Sequence, residues 1–148
     1  MVSQEAQHAI REQQLKEIVG LFGLHTIYLF GSRASETSDY HETGIQAQTR
    51  SQSDLDVGIR LLPGKQLVVA DKSRLAARLE ELFAVARVDL VVLHEANPFL
   101  AANIVRGVRF YTADTYDADE YDLYVLRRAG DLAYFERQRQ ALILGQSA

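Results

Sequence analysis

Asp54 and Asp56 flank Leu55 in the run Ser53-Asp54-Leu55-Asp56-Val57. In an extended chain, residues i and i+2 share a face, so the two carboxylates project from one side while Leu55 and Val57 take the other. Two carboxylates placed this way lie within reach of one shared metal site. Hard divalent cations such as Mg²⁺ select carboxylate oxygens and usually draw further ligands from substrate phosphates. Upstream, the apolar run Thr26-Ile27-Tyr28-Leu29-Phe30 is broken by Gly31-Ser32-Arg33. Gly31 removes a side chain where a bulky ligand group can approach the backbone, and Ser32 sets a hydroxyl beside free amides. Backbone amides at a helix start form a phosphate cradle. Arg33 adds a cation suited to a phosphate or an acceptor, or simply to solvent. A third acid, Asp89, interrupts the apolar run Val88 to Leu93. A charge there is costly to bury unless paired or metal-bound, and the alternative is an outward-facing position on a sheet edge.

The elements that must hold these residues are legible from periodicity. Leu15, Ile18, Val19 and Phe22 carry helical spacing, predicting a helix from about Ser3 that Gly23 can end. Strands are expected over 25–30, 54–61, 87–93 and 108–112. Leu75, Leu79, Leu82 and Phe83 mark a helix over about 67–85. Asn97-Pro98 is a helix start, with Asn97 as cap and Pro98 in the first helical position. Asp117 and Glu120 form a capping-box pattern that opens a long helix to about Leu144. The alternation predicts an α/β fold with a small mixed sheet flanked by helices, in one domain over 1–148.

Composition narrows the function. The chain has 148 residues, 47% hydrophobic and 24% charged, with no cysteine and a net charge of −4. These values fit one globular domain with a real core. Zero Cys excludes disulfides and thiolate metal sites and fits a reducing compartment. His8, His25, His41 and His94 are scattered without the i, i+4 spacing of a zinc helix, so they read as structural or exposed. The acidic balance argues against direct nucleic-acid binding. No apolar run reaches a membrane span of ~20 residues, and no secretory signal is visible at the N-terminus. A cytoplasmic location is the expectation.

Gly31-Ser32, a polar spacer, then Asp54-x-Asp56 followed by apolar residues resembles the signature of nucleotidyltransferases related to DNA polymerase β. The short length and the Gly-Ser-Arg form are similar to its minimal branch, the MntA-type antitoxins encoded beside HEPN-domain toxins. One departure is the long spacer, in which the polar segment 36–52 reads as an inserted loop. The resemblance implies a nucleotidyltransferase fold with a C-terminal helix over 117–144 available to a partner. It implies that Asp54, Asp56 and Asp89 hold divalent metal, two Mg²⁺ ions, with Asp89 also serving as base, and that Gly31, Ser32 and Arg33 bind the nucleotide. The implied reaction moves AMP from ATP to a hydroxyl, a tyrosine on a HEPN toxin. Two alternatives stand beside it: neutralisation of a partner by occlusion alone, or adenylylation of a small molecule such as an aminoglycoside. The spelling Arg87-x₆-His94 is similar to a HEPN ribonuclease motif, but those proteins are all-helical and here it lies in a β-rich run.

Overall fold

A computed structural model describes residues 2–46 and 54–145. The chain runs α1 (Gln4–Phe22), β1 (Leu24–Phe30), α2 (Ala34–Thr43), β2 (Leu55–Leu61), α3 (Val69–Phe83), β3 (Val88–Val92), a single 3₁₀ turn (Leu93–Glu95), α4 (Pro98–Val105), β4 (Val108–Thr112) and α5 (Thr115–Ile143). The four strands form one mixed sheet in the order β3-β2-β1-β4. β1 pairs antiparallel with β2 and β4. β2 and β3 are parallel and joined through α3, because a parallel pair needs a crossover rather than a hairpin.

Period-two alternation divides the sheet into two apolar layers. Leu55, Val57, Ile59 and Leu61 point to one face and pack with Leu15, Ile18 and Phe22 of α1 and Leu75, Leu79, Leu82 and Phe83 of α3. Tyr28 and Phe30 point to the other, against Ala101, Ala102 and Ile104 of α4 and Val125 and Ala129 of α5. Covered on both faces and flanked on both edges, β1 is buried along its whole length. The Tyr28 hydroxyl donates to Asp122, which also accepts from Arg109 Nη2 at 2.7 Å, tying α5 to β1 and β4.

Helix ends follow local chemistry. Ser3 Oγ accepts from the Ala6 amide at 3.1 Å, and Gly23 closes α1 in the left-handed region at φ +66. Asn97 caps α4 by accepting from the Phe99 and Leu100 amides, as its sequence predicts. The cap of α5 lies three residues earlier than the 117–120 pattern suggests. Asp114 accepts from the Asp117 amide at 3.1 Å, while the Asp117 carboxylate is drawn to His25 Nε2 and Arg60 Nη2 at 2.8 and 3.1 Å.

The expected loop over 36–52 is corrected in its first half, because Ala34–Thr43 is helical and Gly44 ends that helix at φ +76. Its buried face is Ala34, Thr37 and His41, small and polar residues that leave no apolar stripe to read. Residues 47–52 of the expected loop lie outside the described residues.

Gly58 is where the second layer is thinnest, since a Cβ there would stand 2.4 Å from Ile104 Cγ2. Gly58→Val is expected to force α4 off the sheet and to destabilise the fold by about 1–3 kcal/mol, the usual cost of overpacking a core. Urea unfolding followed by circular dichroism checks this; an unchanged midpoint would show that α4 yields without cost.

Candidate active site

The register of three strands gathers the acids at one end of the sheet. Phe30 is the Cα partner of Asp56 across β1/β2, and Asp56 is the partner of Asp89 across β2/β3. Registered neighbours project to the same face, so Asp56 and Asp89 stand side by side. Asp54 precedes β2 by one residue and is exposed. This is the face covered by α4 further along, where Gly58 meets Ile104. At Asp56 the face is only partly covered.

Gly31 follows Phe30 directly and turns the chain at φ +77. A Cβ at Gly31 would lie 2.3 Å from Asp56 Oδ2. A side chain there would push that carboxylate aside, and the positive φ independently favours glycine. The Gly31 carbonyl accepts from the Ala34 amide at 3.4 Å, and α2 starts there without a side-chain cap. The first-turn amides of α2 therefore stand next to the acids, where an anion is favoured by the helix end. Ser32 is exposed in the same turn.

Two residues sit differently from their sequence expectation. Arg33 is buried, and its Nε donates to Glu36 Oε1 at 2.7 Å. It braces the first turn of α2 rather than extending into solvent. Glu36 escaped the sequence reading; its i+3 relation to Arg33 was the available signal once a helix is allowed there. Asp89 is exposed on edge strand β3. Burial cost therefore does not single it out; its register with Asp56 does.

Electrostatics agree with a cation site. Among the described residues no Lys, Arg or His forms an ion pair with Asp54, Asp56 or Asp89. The Asp56 carboxyl is held above the ordinary carboxylate range, first by partial burial, then by the charge of Asp89, then by that of Asp54. Three mutually repelling carboxylates without a basic partner are the donor set that a hard divalent cation neutralises. They have not collapsed together: among the described residues, the group of three whose ligand atoms all lie within 4.8 Å of one another is elsewhere, at His8, Glu12 and His41.

The raised Asp56 carboxyl has a definite pH signature. A folded value above the unfolded one means that the native state holds the proton more tightly, so stability falls as pH rises from the ordinary carboxylate value through the raised one. The penalty persists in full at neutral pH. Asp56→Asn is therefore expected to raise the thermal midpoint at pH 7 in chelator-treated buffer and to flatten the acid-side pH slope. Mg²⁺, which relieves the repulsion by binding the native state, is expected to stabilise the parent protein and not the variant. Differential scanning calorimetry from pH 4 to 8, with and without Mg²⁺, reads both effects. A midpoint that drops in the variant without metal would refute the repulsion.

Comparison with known proteins bears on the whole arrangement. A toxin–antitoxin crystal structure with AMP-PNP contains a chain that matches at 21% identity and a TM-score of 0.60, over 89% of this chain and 94% of that one. A chain from the complex of a tri-AMPylated Shewanella oneidensis HEPN toxin with an MNT antitoxin matches at 19% identity and a TM-score of 0.57, over 92% and 95%. An MntA-HepT toxin–antitoxin structure matches at 19% identity and a TM-score of 0.54, over 91% and 95%. These likenesses establish the fold. A comparison with curated proteins finds no match. The family profile described as Polymerase beta, Nucleotidyltransferase matches residues 13–116, a span that holds Gly31, Asp54, Asp56 and Asp89 together, and the chain belongs to that family.

Proposed function

We propose that this nucleotidyltransferase acts as an MntA-type antitoxin that moves AMP from ATP onto a tyrosine hydroxyl of a partner HEPN toxin. The observation that carries the reading is the meeting of Gly31 with Asp56 and of Asp56 with Asp89 at one sheet end, in a chain of the polymerase β family. The solved complexes with AMP-PNP and with an AMPylated toxin supply the nucleotide and the acceptor by analogy.

In this reading Asp54, Asp56 and Asp89 would hold Mg²⁺, whose bound charge offsets negative charge developing on the phosphate oxygens. The Gly31-Ser32 turn and the first-turn amides of α2 receive the triphosphate, and Arg33 keeps that turn rigid through Glu36. The acceptor oxygen attacks the α-phosphorus, the bond from that phosphorus to the bridging oxygen breaks, and pyrophosphate leaves. Asp89, exposed at the sheet edge, is placed to take the acceptor's proton, since a bulky protein acceptor can approach an edge strand more easily than the sheet interior. Among the described residues no helix is long and apolar enough to cross a membrane.

The partner face is assigned to α5. Its buried residues are Ala118, Val125 and Ala129, so of its 29 residues those beyond Ala129 have no buried anchor. That stretch exposes Tyr134, Phe135, Leu142 and Ile143. An apolar row this size on a helix extending past its core marks an interface. It also favours a second reading, neutralisation by occlusion with transfer secondary, because the face exists independently of the acids.

Two experiments separate the readings. Purified protein and its toxin are incubated with α-labelled ATP and Mg²⁺, and the toxin is mapped by mass spectrometry. Adenylate on a toxin tyrosine, abolished in a folded Asp54→Asn/Asp56→Asn variant, is the expected result. Label that survives in the folded variant would sink the mechanism, and a stable complex without label would favour occlusion. Separately, Tyr134→Asp with Phe135→Asp is expected to weaken the complex at least about 100-fold, as loss of two central aromatic anchors does, without shifting the thermal midpoint of the free chain. Size-exclusion chromatography reads the complex, and retention of the toxin would move the interface elsewhere.

A further inference from the structure

We propose that His8, Glu12 and His41 form a second divalent-metal site, selective for zinc-class ions rather than Mg²⁺, that pins α2 to α1. One ligand atom from each of the three lies within 4.8 Å of the other two. His8 and Glu12 stand four residues apart on α1 and so share a face. His41 comes from the last turn of α2.

The two imidazoles are prepared in different ways. His8 Nδ1 lies 3.1 Å from the His41 backbone carbonyl. A carbonyl only accepts, so Nδ1 is the donor here and Nε2 is the nitrogen left to face a cation, with Glu42 Oε2 3.9 Å away. A metal-binding histidine is oriented by this same device, its second ring nitrogen donating to a backbone carbonyl. His41 is 1% exposed, and its Nε2 sits 2.7 Å from Glu12 Oε1. Its ring is walled by Phe110 and Phe83, with centroids at 4.8 and 6.4 Å, which keeps it aimed at α1. Among the described residues His41 Nδ1 has no hydrogen-bond partner; a cation on Nε2 would move the ring proton to that nitrogen, where no acceptor orients it, so this imidazole is the weaker of the two ligands.

Donor chemistry separates this site from the acids. Two imidazoles and a carboxylate suit zinc, nickel, copper or cobalt, whereas an all-carboxylate set suits magnesium. The Arg11 guanidinium, whose Nε donates to the same His41 carbonyl at 2.7 Å, places a positive charge nearby and keeps the site weaker than a four-ligand zinc centre. The consequence is mechanical. α2 begins at the Gly31 turn, so a cation bridging its last turn to α1 steadies the helix whose first turn stands beside the acids.

The test uses the full chain carrying Asp54→Asn and Asp56→Asn, so that the acids no longer compete, stripped with chelator and titrated with Zn²⁺ by calorimetry. One zinc per chain is expected, with a thermal midpoint that climbs with zinc concentration and is unmoved by Mg²⁺. His8→Gln, at a partly exposed position that leaves the fold intact, is expected to weaken binding at least about tenfold, and Glu12→Gln likewise. Absence of stoichiometric zinc uptake, or uptake unchanged in His8→Gln and Glu12→Gln, would overturn the site and leave the histidines as plain helix-to-helix hydrogen bonds.

Discussion

The contact between Gly31 and the Asp56 carboxylate is the constraint on which the rest of this site depends. It requires β1 to end where β2 begins, in antiparallel register, and it requires the turn at Gly31 to adopt a positive φ. Once that register is set, the parallel pairing of β2 with β3 brings Asp89 beside Asp56 with no further choice. The sheet order places β1 in the centre, buried on both faces, so the strand that positions the turn is also the most rigidly packed. A slip of one residue in β2 would carry Asp56 to the α1/α3 face and bury its charge among leucines. The site and the core therefore specify the same register.

Much of the fold was legible because its buried faces are written in large apolar residues. The stripes of α1 and α3, the apolar run of β1 and the Asn97-Pro98 start of α4 each announce themselves locally. α2 did not, because its buried positions are Ala34, Thr37 and His41, and His41 Nε2 is engaged by Glu12 of α1 rather than by its own neighbours. A helix whose inner face is polar has no hydrophobic period to detect. The start of α5 was displaced for a related reason. Asp117 looks like a cap in sequence, yet its carboxylate is engaged by His25 and Arg60, which come from distant strands, and Asp114 takes the cap.

The acids were visible as residues but not as a geometry. Asp54 and Asp56 declare a shared face through their spacing alone. Asp89 stood out for a reason the structure does not support, since a lone charge in an apolar run suggested burial and the residue is exposed on an edge strand. Its membership rests on cross-strand register, which no local pattern encodes. The histidines show the same limit from the other side. His8 and Glu12 carry a readable i, i+4 relation, but their third member lies 33 residues from His8, across β1 and most of α2.

Electrostatic repulsion then links the site's stability to its use. Among the described residues the three carboxylates at this sheet end have no basic partner, and the Asp56 carboxyl is raised first by burial and then by the charges of Asp89 and Asp54, which costs the native state free energy. Substituting a nearby Lys would relieve that repulsion, and it would also occupy the place that the proposed divalent cation would take. The surrounding structure tolerates the repulsion because β1 and β2 are anchored by two apolar layers. α5 shows the same division of labour. Its first half, through Tyr28, Asp122 and Arg109, is locked to the sheet, and its second half has no buried residue beyond Ala129 and exposes Tyr134, Phe135, Leu142 and Ile143. In both places an exposed surface persists beside a well-packed element that supplies the stability.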